Sequence, residues 1–405
     1  MLHTPKPHTG LRPSLLILVA VSAINPAGIN IFIPSMASME KVFNTDFATI
    51  QLTLSLYLAG VAVSQLLIGP LSDRFGRRPI LLSGLSLFIV GSIVCSQATS
   101  IDMLIYGRLI QAFGGCAGIV LARAIVRDMY DREQAASMIG YVTMGMAVAP
   151  MVSPLVGGLL HEAYGWQASF HLLTVVTVVV VIWAWFALHE TNPYIGRSSG
   201  AGALVRSYWI LARVPAFWAY TLCAAMSAGL FFGFLGGAPY VSEHVLGLEP
   251  GEIGVYFLFV AGGYVIGNFL SGRFASRVGI TRMIVTGLIA ASSGVVIMTA
   301  LFAFGLVHPL ALYGPMLVIG VANGVALPSS VAGVVSVRPD LAGAASGLAG
   351  SLQVGLGALV SYLVAQAVTI GPMAGTVWPM IGVLAACAIA WAATVIWATA
   401  TDKPG

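Results

Sequence analysis

The sequence predicts an all-α integral membrane protein with twelve transmembrane helices in two pseudo-symmetric bundles of six. Three observations predict this fold: the composition, the lengths of the apolar runs and the placement of the basic residues. Apolar residues make up 58% of the 405 positions and charged residues 8%, whereas an average soluble domain has about 25% charged residues. A soluble protein of this length needs far more surface charge to stay in solution. Most of this chain is therefore expected to lie in lipid.

Twelve apolar runs are long enough to cross a bilayer, which takes about 20 residues. The first run follows Lys6 and Arg12, as in a signal peptide, but it has no clear small-residue cleavage site and is expected to remain as an uncleaved span. The expected spans lie near residues 14–33, 48–70, 80–98, 103–123, 136–160, 167–188, 216–240, 252–271, 282–304, 309–330, 343–368 and 377–398.

The basic residues test this span count independently. If the N-terminus lies inside and the loops alternate, sixteen of the eighteen Lys and Arg residues fall in inner loops or tails. Lys41 alone falls in an outer loop, and Arg108 falls within the fourth span. This asymmetry satisfies the positive-inside rule, and a missed span would have inverted every later loop. Both termini are therefore expected on the cytoplasmic side.

The chain also contains an internal repeat. The stretch GPLSDRFGRRP follows the second span, and SGRFASRVGITR follows the eighth. Aligning Gly69 with Gly272, at an offset of 203 residues, also aligns Arg74 with an arginine and Gly76 with a glycine. We therefore expect an N-terminal half at 1–190, a linker at 191–214 and a C-terminal half at 215–405. Two parallel halves are typical of a transporter that rocks around a site between them.

Several motifs resemble those of the major facilitator superfamily. GPLSDRFGRRP (69–79) is similar to its loop signature between spans two and three, and LIYGRLIQAFGG (104–115) to its fourth-helix motif. GMAVAPMVSPLVGG (145–158) resembles the fifth-helix motif of its drug:proton antiporters. ARAIVRDMYD (122–131) and GAASGLAGSLQVGLGALV (343–360) resemble the bacterial branch named for bicyclomycin and chloramphenicol resistance. The resemblance implies alternating access, a bacterial inner (plasma) membrane, and export of small amphipathic compounds in exchange for protons.

The loop signature implies a cytoplasmic gate. By similarity, Asp73 is expected at the start of span eleven, near Gly343, and Arg77 is expected to pair with Asp128. The alternative interpretation is a solvated basic loop that only sets topology. The expected gate residues are Gly69, Asp73, Arg74, Gly76, Arg77, Arg78 and Asp128.

The fifth span combines glycines, which let helices approach closely in membranes, with prolines, which bend a helix. The resemblance ties this helix to antiport, although the usual Gly-Pro pair is replaced by Ala149-Pro150. Ordinary helix packing is the alternative role. The expected residues of this helix are Gly145, Pro150, Pro154, Gly157 and Gly158.

Arg108 is the one basic residue expected inside a span, about 8 Å from its outer end. An intramembrane arginine is costly and normally faces a cavity with a partner. Gln111 lies on the same helix face. In-span amides can instead bridge helices, and aromatic side chains can simply pack. The candidate substrate-cavity residues are Asn25, Asn30, Tyr57, Arg108, Gln111, Phe231, Phe234, Asn323 and Gln353.

None of the fourteen acidic residues is expected in mid-span. Relatives in the resembling branch commonly have an acid in span one, where this chain has Asn30 in INIFIP. Asn30 is expected about 5 Å inside the outer face, near the depth of Arg108, and a hydrogen bond between the two is one hypothesis. A cavity with net positive charge favours an anionic or acceptor-rich substrate. Proton coupling then uses another group (Glu162, His161, His171 or Asp128), or is absent.

The expected function is secondary active transport, with efflux of a drug-like compound or metabolite. An importer, uniporter or exchanger of a polar nutrient such as a nucleoside is the alternative. An integral membrane enzyme is a remote one, because the histidines lack HExxH-type spacing and no nucleophile–base pair or paired carboxylates stand out. The expected partners are a small-molecule substrate and the lipid bilayer, with no nucleic acid, metal or cofactor, and the chain is expected to be a monomer.

Overall fold

The computed structural model describes residues 13–130, 132–192, 201–338, 341–370 and 373–401. Within these residues, twelve helices are long and apolar enough to cross a membrane, so the predicted number of spans is confirmed. Both termini lie outside the described residues. The spans are Leu15–Ser35, Phe47–Phe75, Arg77–Ser96, Ile101–Met129, Met138–Tyr164, Gln167–Ala187, Pro215–Val245, Pro250–Ala275, Ile280–Ala303, Pro309–Val337, Ala342–Thr369 and Trp378–Thr399.

Several helices extend beyond the predicted span ends. The helix of span two ends at Phe75, that of span four at Met129 and that of span eight at Val278. Charged residues end the apolar run but not the helix, because a helix satisfies its own backbone outside the hydrocarbon as well as inside. We call the end of the molecule that holds Arg74 and Arg127 the basic end. The opposite end holds Glu40, Glu162 and Glu249.

Two helices carry the internal repeat. Phe47–Phe75 and Pro250–Val278 both contain 29 residues, and their positions differ by the 203 residues of the sequence offset. Each ends at a glycine with a positive φ, 101° at Gly76 and 89° at Gly279. Only glycine adopts such a φ without strain. The repeated motif therefore corresponds to a repeated local structure, a long helix that stops at a left-handed glycine.

Side chains cap several helices at the opposite end. Asp46 accepts a hydrogen bond from the backbone N–H of Thr49 (2.9 Å) at the start of span two. Ser100 does the same for Met103 at the start of span four. Such caps supply acceptors for backbone N–H groups that have no partner within the helix.

The fifth span consists of two helices, Arg132–Met146 and Val148–Tyr164, separated by a turn at Ala147. The break has a clear cause, because Pro150 has no N–H to donate to the carbonyl of Met146.

Contacts between the first six and the last six spans are concentrated in two pairs. Span two packs against span eleven, and span five packs against span eight. The predicted linker also contains a helix that the sequence analysis did not anticipate, Ala201–Ala212, which packs against spans seven and eleven. The division of the chain into halves at 191–214 stays a prediction.

Candidate functional site

Arg108 lies at the centre of a polar cluster within the first four spans. Its side chain is fully buried. Nη1 donates hydrogen bonds to the carbonyl of Gly28 and to Oε1 of Gln111, both at 2.8 Å, and Nε donates to the carbonyl of Thr53 at 3.4 Å. The guanidinium also lies over two rings, 4.3 Å from the centroid of Phe32 and 4.0 Å from that of Tyr57. Desolvated cation–π contacts of this kind stabilise by about 2 kcal/mol or more.

The end of the first helix supplies one of these acceptors. Its α-helical segment stops at Asn30, and Pro34 cannot donate to the Asn30 carbonyl. Because the helix ends here, the last carbonyls lack intrahelical donors and carry the negative end of the helix dipole. The Gly28 carbonyl belongs to this group, so the sequence that stops the helix also presents a partner to Arg108.

The cluster extends through two further hydrogen bonds. Nε2 of Gln111 donates to Oγ of Ser92, and the Tyr57 hydroxyl donates to Oδ1 of Asn25, both at 2.7 Å. Two buried donors are without a described partner, Nη2 of Arg108 and Nδ2 of Asn25. An unused donor on a buried guanidinium is costly, so this atom is the natural attachment point for a further acceptor.

No hydrogen bond joins Asn30 to Arg108 among the described residues. Its Nδ2 donates to the carbonyl of Pro26 (2.8 Å), one turn earlier in the same helix. The hypothesis that the two side chains hydrogen-bond is therefore wrong for this conformation. The expected depth of Asn30 in the membrane does not determine the direction in which its side chain points around the helix axis. In the structure the amide points to the backbone of its own helix.

The cavity residues predicted in the last six spans are spread over several places. Phe234 is fully buried and packs with Phe257 and Tyr313, at centroid distances of 5.5 and 5.7 Å. Oδ1 of Asn323 accepts a hydrogen bond from Ser227 (2.8 Å), which bridges spans ten and seven. Phe231 and Gln353 are partly exposed. In this conformation the structure thus does not join these residues to the Arg108 cluster.

No described carboxylate lies in mid-span. Every acidic residue whose side chain is described lies outside the spans or within two residues of a span end. The Arg108 charge is consequently compensated by carbonyl dipoles, an amide and rings rather than by an anion.

The basic end contains the expected ion pair. Nε of Arg77 lies 2.9 Å from Oδ2 of Asp128, and Nη1 of Arg77 bonds Asp73 and, at 2.7 Å, Ser72. The predicted pairing of Arg77 with Asp128 is confirmed. The described side-chain partner of Asp73 is Arg77, one helical turn away, and the expected placement of Asp73 at the start of span eleven stays a prediction. At the start of span eleven it is Arg127 that approaches Gly343.

Glu190, just beyond span six, caps the third span. Its carboxylate accepts hydrogen bonds from the backbone N–H groups of Arg77 (2.9 Å) and Arg78 (3.1 Å). A Cβ at Gly76 would lie 2.5 Å from this carboxylate, so a side chain there would displace Glu190 from its cap, whereas the positive φ is what requires glycine. The sequence analysis missed Glu190 because 113 residues separate it from Arg77, and no local pattern links the two.

The other expected gate residues lie around this pair. Arg78 donates to the carbonyl of Trp185 (2.8 Å) and covers its ring. Arg74 lies over the ring of Phe75 at 5.2 Å. The Gly69 carbonyl accepts a hydrogen bond from Ser72.

The fifth span contacts the eighth at the opposite end. A Cβ at Gly158 would lie 2.4 Å from the carbonyl of Pro250, so only glycine permits this approach. Oε1 of Glu162 accepts a hydrogen bond from the backbone N–H of Gly251 (2.9 Å). Gly157 packs against the first span, at the carbonyl of Ile31. Gly145 also faces the first span, at Val19, and Pro154 faces Gly254 of span eight.

Two further polar contacts join the first six spans to the last six at the opposite end. Gln51 donates to Oγ of Ser361 at 2.7 Å. Oε1 of Glu40 lies 3.5 Å from Nε2 of His244, and both side chains are partly exposed. Burial raises the pKa of the Glu40 carboxyl, and the attraction of His244 offsets only part of this rise. The opposite end is therefore fastened by several bonds that must break if it opens.

The sequence model of the Major Facilitator Superfamily matches residues 18–362. The chain belongs to this superfamily. It is therefore a multi-pass membrane protein and a secondary transporter, and the enzyme alternative is excluded.

Curated relatives within the superfamily cover nearly the whole chain. An MFS-type transporter of Bacillus subtilis, YdgK, is 31% identical over 90% of this chain and 91% of its own. A bicyclomycin resistance protein homolog of Haemophilus influenzae is 28% identical over 93% of both chains. A chloramphenicol resistance protein of Pseudomonas aeruginosa is 30% identical over 92% of this chain and 87% of its own. The predicted resemblance to this branch is confirmed.

A solved structure supports the fold. The crystal structure of a bacterial homologue of the human lysosomal transporter Spinster superposes with a TM-score of 0.67, at 18% identity, and covers 96% of this chain and 94% of its own. The predicted major facilitator fold is thereby confirmed.

Proposed function

We propose that this transporter exports small organic compounds across the bacterial plasma membrane by alternating access. Support comes from the relatives, which include proteins named for bicyclomycin and chloramphenicol resistance. We further propose that the termini and the basic end face the cytoplasm, in accordance with the positive-inside rule.

The observation that carries the substrate class is that no described anion neutralises the charge of Arg108. Its Nη2 has no described partner, and no carboxylate is among the described contacts of its guanidinium. A substrate with an acidic group or a strong acceptor gains a charge-assisted hydrogen bond there. Arg108 is enclosed in this conformation, so we propose that the substrate reaches it after the spans rearrange.

Efflux assays test this substrate class. In a bacterial strain that lacks its main drug exporters, the protein should protect best against acidic or acceptor-rich compounds. Arg108→Ala should abolish this protection at wild-type expression, whereas Arg282→Ala, at an exposed arginine of the basic end, should retain it. Folding of each variant is checked by size-exclusion profile and thermal midpoint. Strongest protection against cationic dyes, retained in Arg108→Ala, contradicts the proposed class.

Coupling has two candidate forms. Proton antiport requires a titratable group, and Asp128 and Glu162 are two of the described acidic residues near span ends that could supply it. Substrate exchange without protons is favoured by Asn30, which stands where similar exporters have an acid and cannot titrate. Proteoliposomes that contain a pH-sensitive dye distinguish them. Antiport gives substrate-dependent proton flux, and exchange gives substrate counterflow without it.

A further inference from the structure

A groove of about 680 Å³ lies between the linker helix Ala201–Ala212 and spans seven and eleven. Its wall is almost entirely apolar. The main lining side chains are Val205, Tyr208, Trp209, Trp218, Leu348 and Leu352.

The groove lies close to the basic ends of the two spans. Trp218 is the fourth residue of span seven, and Leu348 is the seventh residue of span eleven. At 1.5 Å per residue, both lie within about 10 Å of the span ends. This depth corresponds to the boundary between headgroups and hydrocarbon, where tryptophan is enriched in membrane proteins.

Specific contacts hold the linker helix in place. Nε1 of Trp218 donates a hydrogen bond to the carbonyl of Ala212 (2.8 Å), which fastens the end of the helix to span seven. The guanidinium of Arg213 lies 4.8 Å from the ring centroid of Trp209. The linker helix is therefore fastened to span seven, and the groove has a tryptophan on each side.

An apolar face of the linker helix is left uncovered beside the groove. Val205 is 64% exposed and Trp209 is 61% exposed, and the two lie one helical turn apart on the same face. An exposed apolar face next to an apolar groove is typical of a surface that contacts lipid.

The charge at the rim indicates which lipid. Arg206 lines the groove and is exposed, and Arg213 flanks it. The described lining residues include no acidic side chain. Two arginines next to an apolar groove, with no carboxylate among the described lining residues, complement a negatively charged headgroup attached to an acyl chain.

We propose that this groove binds one anionic phospholipid, with an acyl chain against Trp209, Trp218 and Leu352 and the phosphate at Arg206 and Arg213. The lipid joins the linker helix to span eleven, because its chain contacts both. This site is separate from the Arg108 cluster and does not depend on what the protein transports.

Photolabelling tests the proposal. The full-length protein is placed in nanodiscs made of phosphatidylcholine. Each sample also contains a small fraction of one photoreactive lipid with a diazirine on its acyl chain, either phosphatidylglycerol or phosphatidylcholine, and this fraction is the same in both samples. Labelled peptides are identified by mass spectrometry. Phosphatidylglycerol should label residues 202–218 and 348–352 about tenfold more than phosphatidylcholine does, since each arginine near the surface favours anionic lipid.

Three variants sharpen the result. The double variant Arg206→Gln/Arg213→Gln should lower labelling by phosphatidylglycerol to the level of phosphatidylcholine. Ala212→Phe, which fills the groove from the linker helix, should lower labelling at the site by both lipids. Arg282→Gln removes an exposed arginine of the basic end outside the groove and should leave labelling unchanged. Equal labelling by the two lipids in the wild type, or unchanged labelling in the double variant, overturns the proposal and assigns the groove to unselective lipid or to an amphipathic compound.

Discussion

Two arginines of the first six spans have opposite electrostatic surroundings. Arg77 at the basic end is paired with the carboxylates of Asp73 and Asp128, and its side chain is 11% exposed. Arg108 is fully buried, yet its described partners are carbonyls, an amide and two rings. Where helices are fastened to each other, the protein supplies an anion. At Arg108, in the membrane interior, it supplies only dipoles and rings, so an anionic ligand can still neutralise the Arg108 charge.

The strongest test adds an acid to the Arg108 region. We expect Asn30→Asp to destabilise the protein at neutral pH, because the introduced carboxyl lies against the Pro26 carbonyl and must be protonated to donate a hydrogen bond. Protonating a carboxyl at pH 7 costs up to about 4 kcal/mol. Thermal midpoints in detergent, measured from pH 7.5 down to pH 5, should show the deficit shrinking as the pH falls.

A contact between Asn30 and Arg108 leads to the reverse result. The introduced carboxylate would then be neutralised by the guanidinium, so the variant would match or exceed the wild type at pH 7.5 and show no rescue by acid. Asn25→Asp is the comparison variant, because the Asn25 amide bonds Tyr57 rather than a carbonyl of its own helix.

Asn30 illustrates what the sequence does and does not predict. Twelve spans were predictable because a bilayer requires about 20 apolar residues in each. The Arg77–Asp128 pair was predictable only through the family resemblance of the two motifs at 69–79 and 122–131, which lie 51 residues apart at this pair. The partner of Asn30 depends on helix rotation, which depth alone does not fix. Glu190 and the linker helix depend on contacts between distant segments.

The second test removes an acid from the Arg77 region. We expect Asp128→Asn to lower the stability by about 2 kcal/mol, because it leaves a largely buried guanidinium without its less exposed partner. Asp73→Asn should cost only about 0–1 kcal/mol, since the Asp73 side chain is 47% exposed. If Asp73 acts in gating, this second variant nevertheless loses transport while it inserts normally. Thermal midpoints and efflux are measured on the same preparations.

Asp102→Asn serves as the control for this pair, because Asp102 is exposed in the first turn of span four. It should leave both stability and transport unchanged. Equal stability losses for Asp73→Asn and Asp128→Asn would show that Asp128 is not the carboxylate that contributes most to stability through Arg77.

The third test changes the rings around Arg108 and leaves its hydrogen bonds in place. Phe32→Leu removes a ring 4.3 Å from the guanidinium, so we expect a loss of about 1–2 kcal/mol from the cation–π contact. Tyr57→Phe keeps the ring and removes only the hydroxyl bond to Asn25, a loss of about 1 kcal/mol. A larger loss for Tyr57→Phe in chemical unfolding experiments argues that the hydroxyl network, rather than the rings, stabilises the buried charge.

The smallest expected effect extends the comparison to the opposite end, where Glu40 pairs with a partly exposed imidazole. Because burial raises the pKa of Glu40, the folded protein binds more protons than the unfolded chain at pH values just above the ordinary 4.5. Stability from this group therefore rises as the pH falls through that window and is lost as it rises. Glu40→Gln abolishes this pH dependence, so the variant should be slightly more stable than the wild type at pH 7.5, by less than about 1 kcal/mol, with the difference vanishing towards pH 5.

His244→Gln should enlarge the pH dependence of stability, since the imidazole is the neighbour that most lowers the Glu40 pKa. If the stability difference between wild type and Glu40→Gln is instead constant across this pH range, the Glu40 carboxylate is neutralised by its partner in the folded state. Glu40 and His244 then form a stabilising ion pair like that of Arg77 and Asp128.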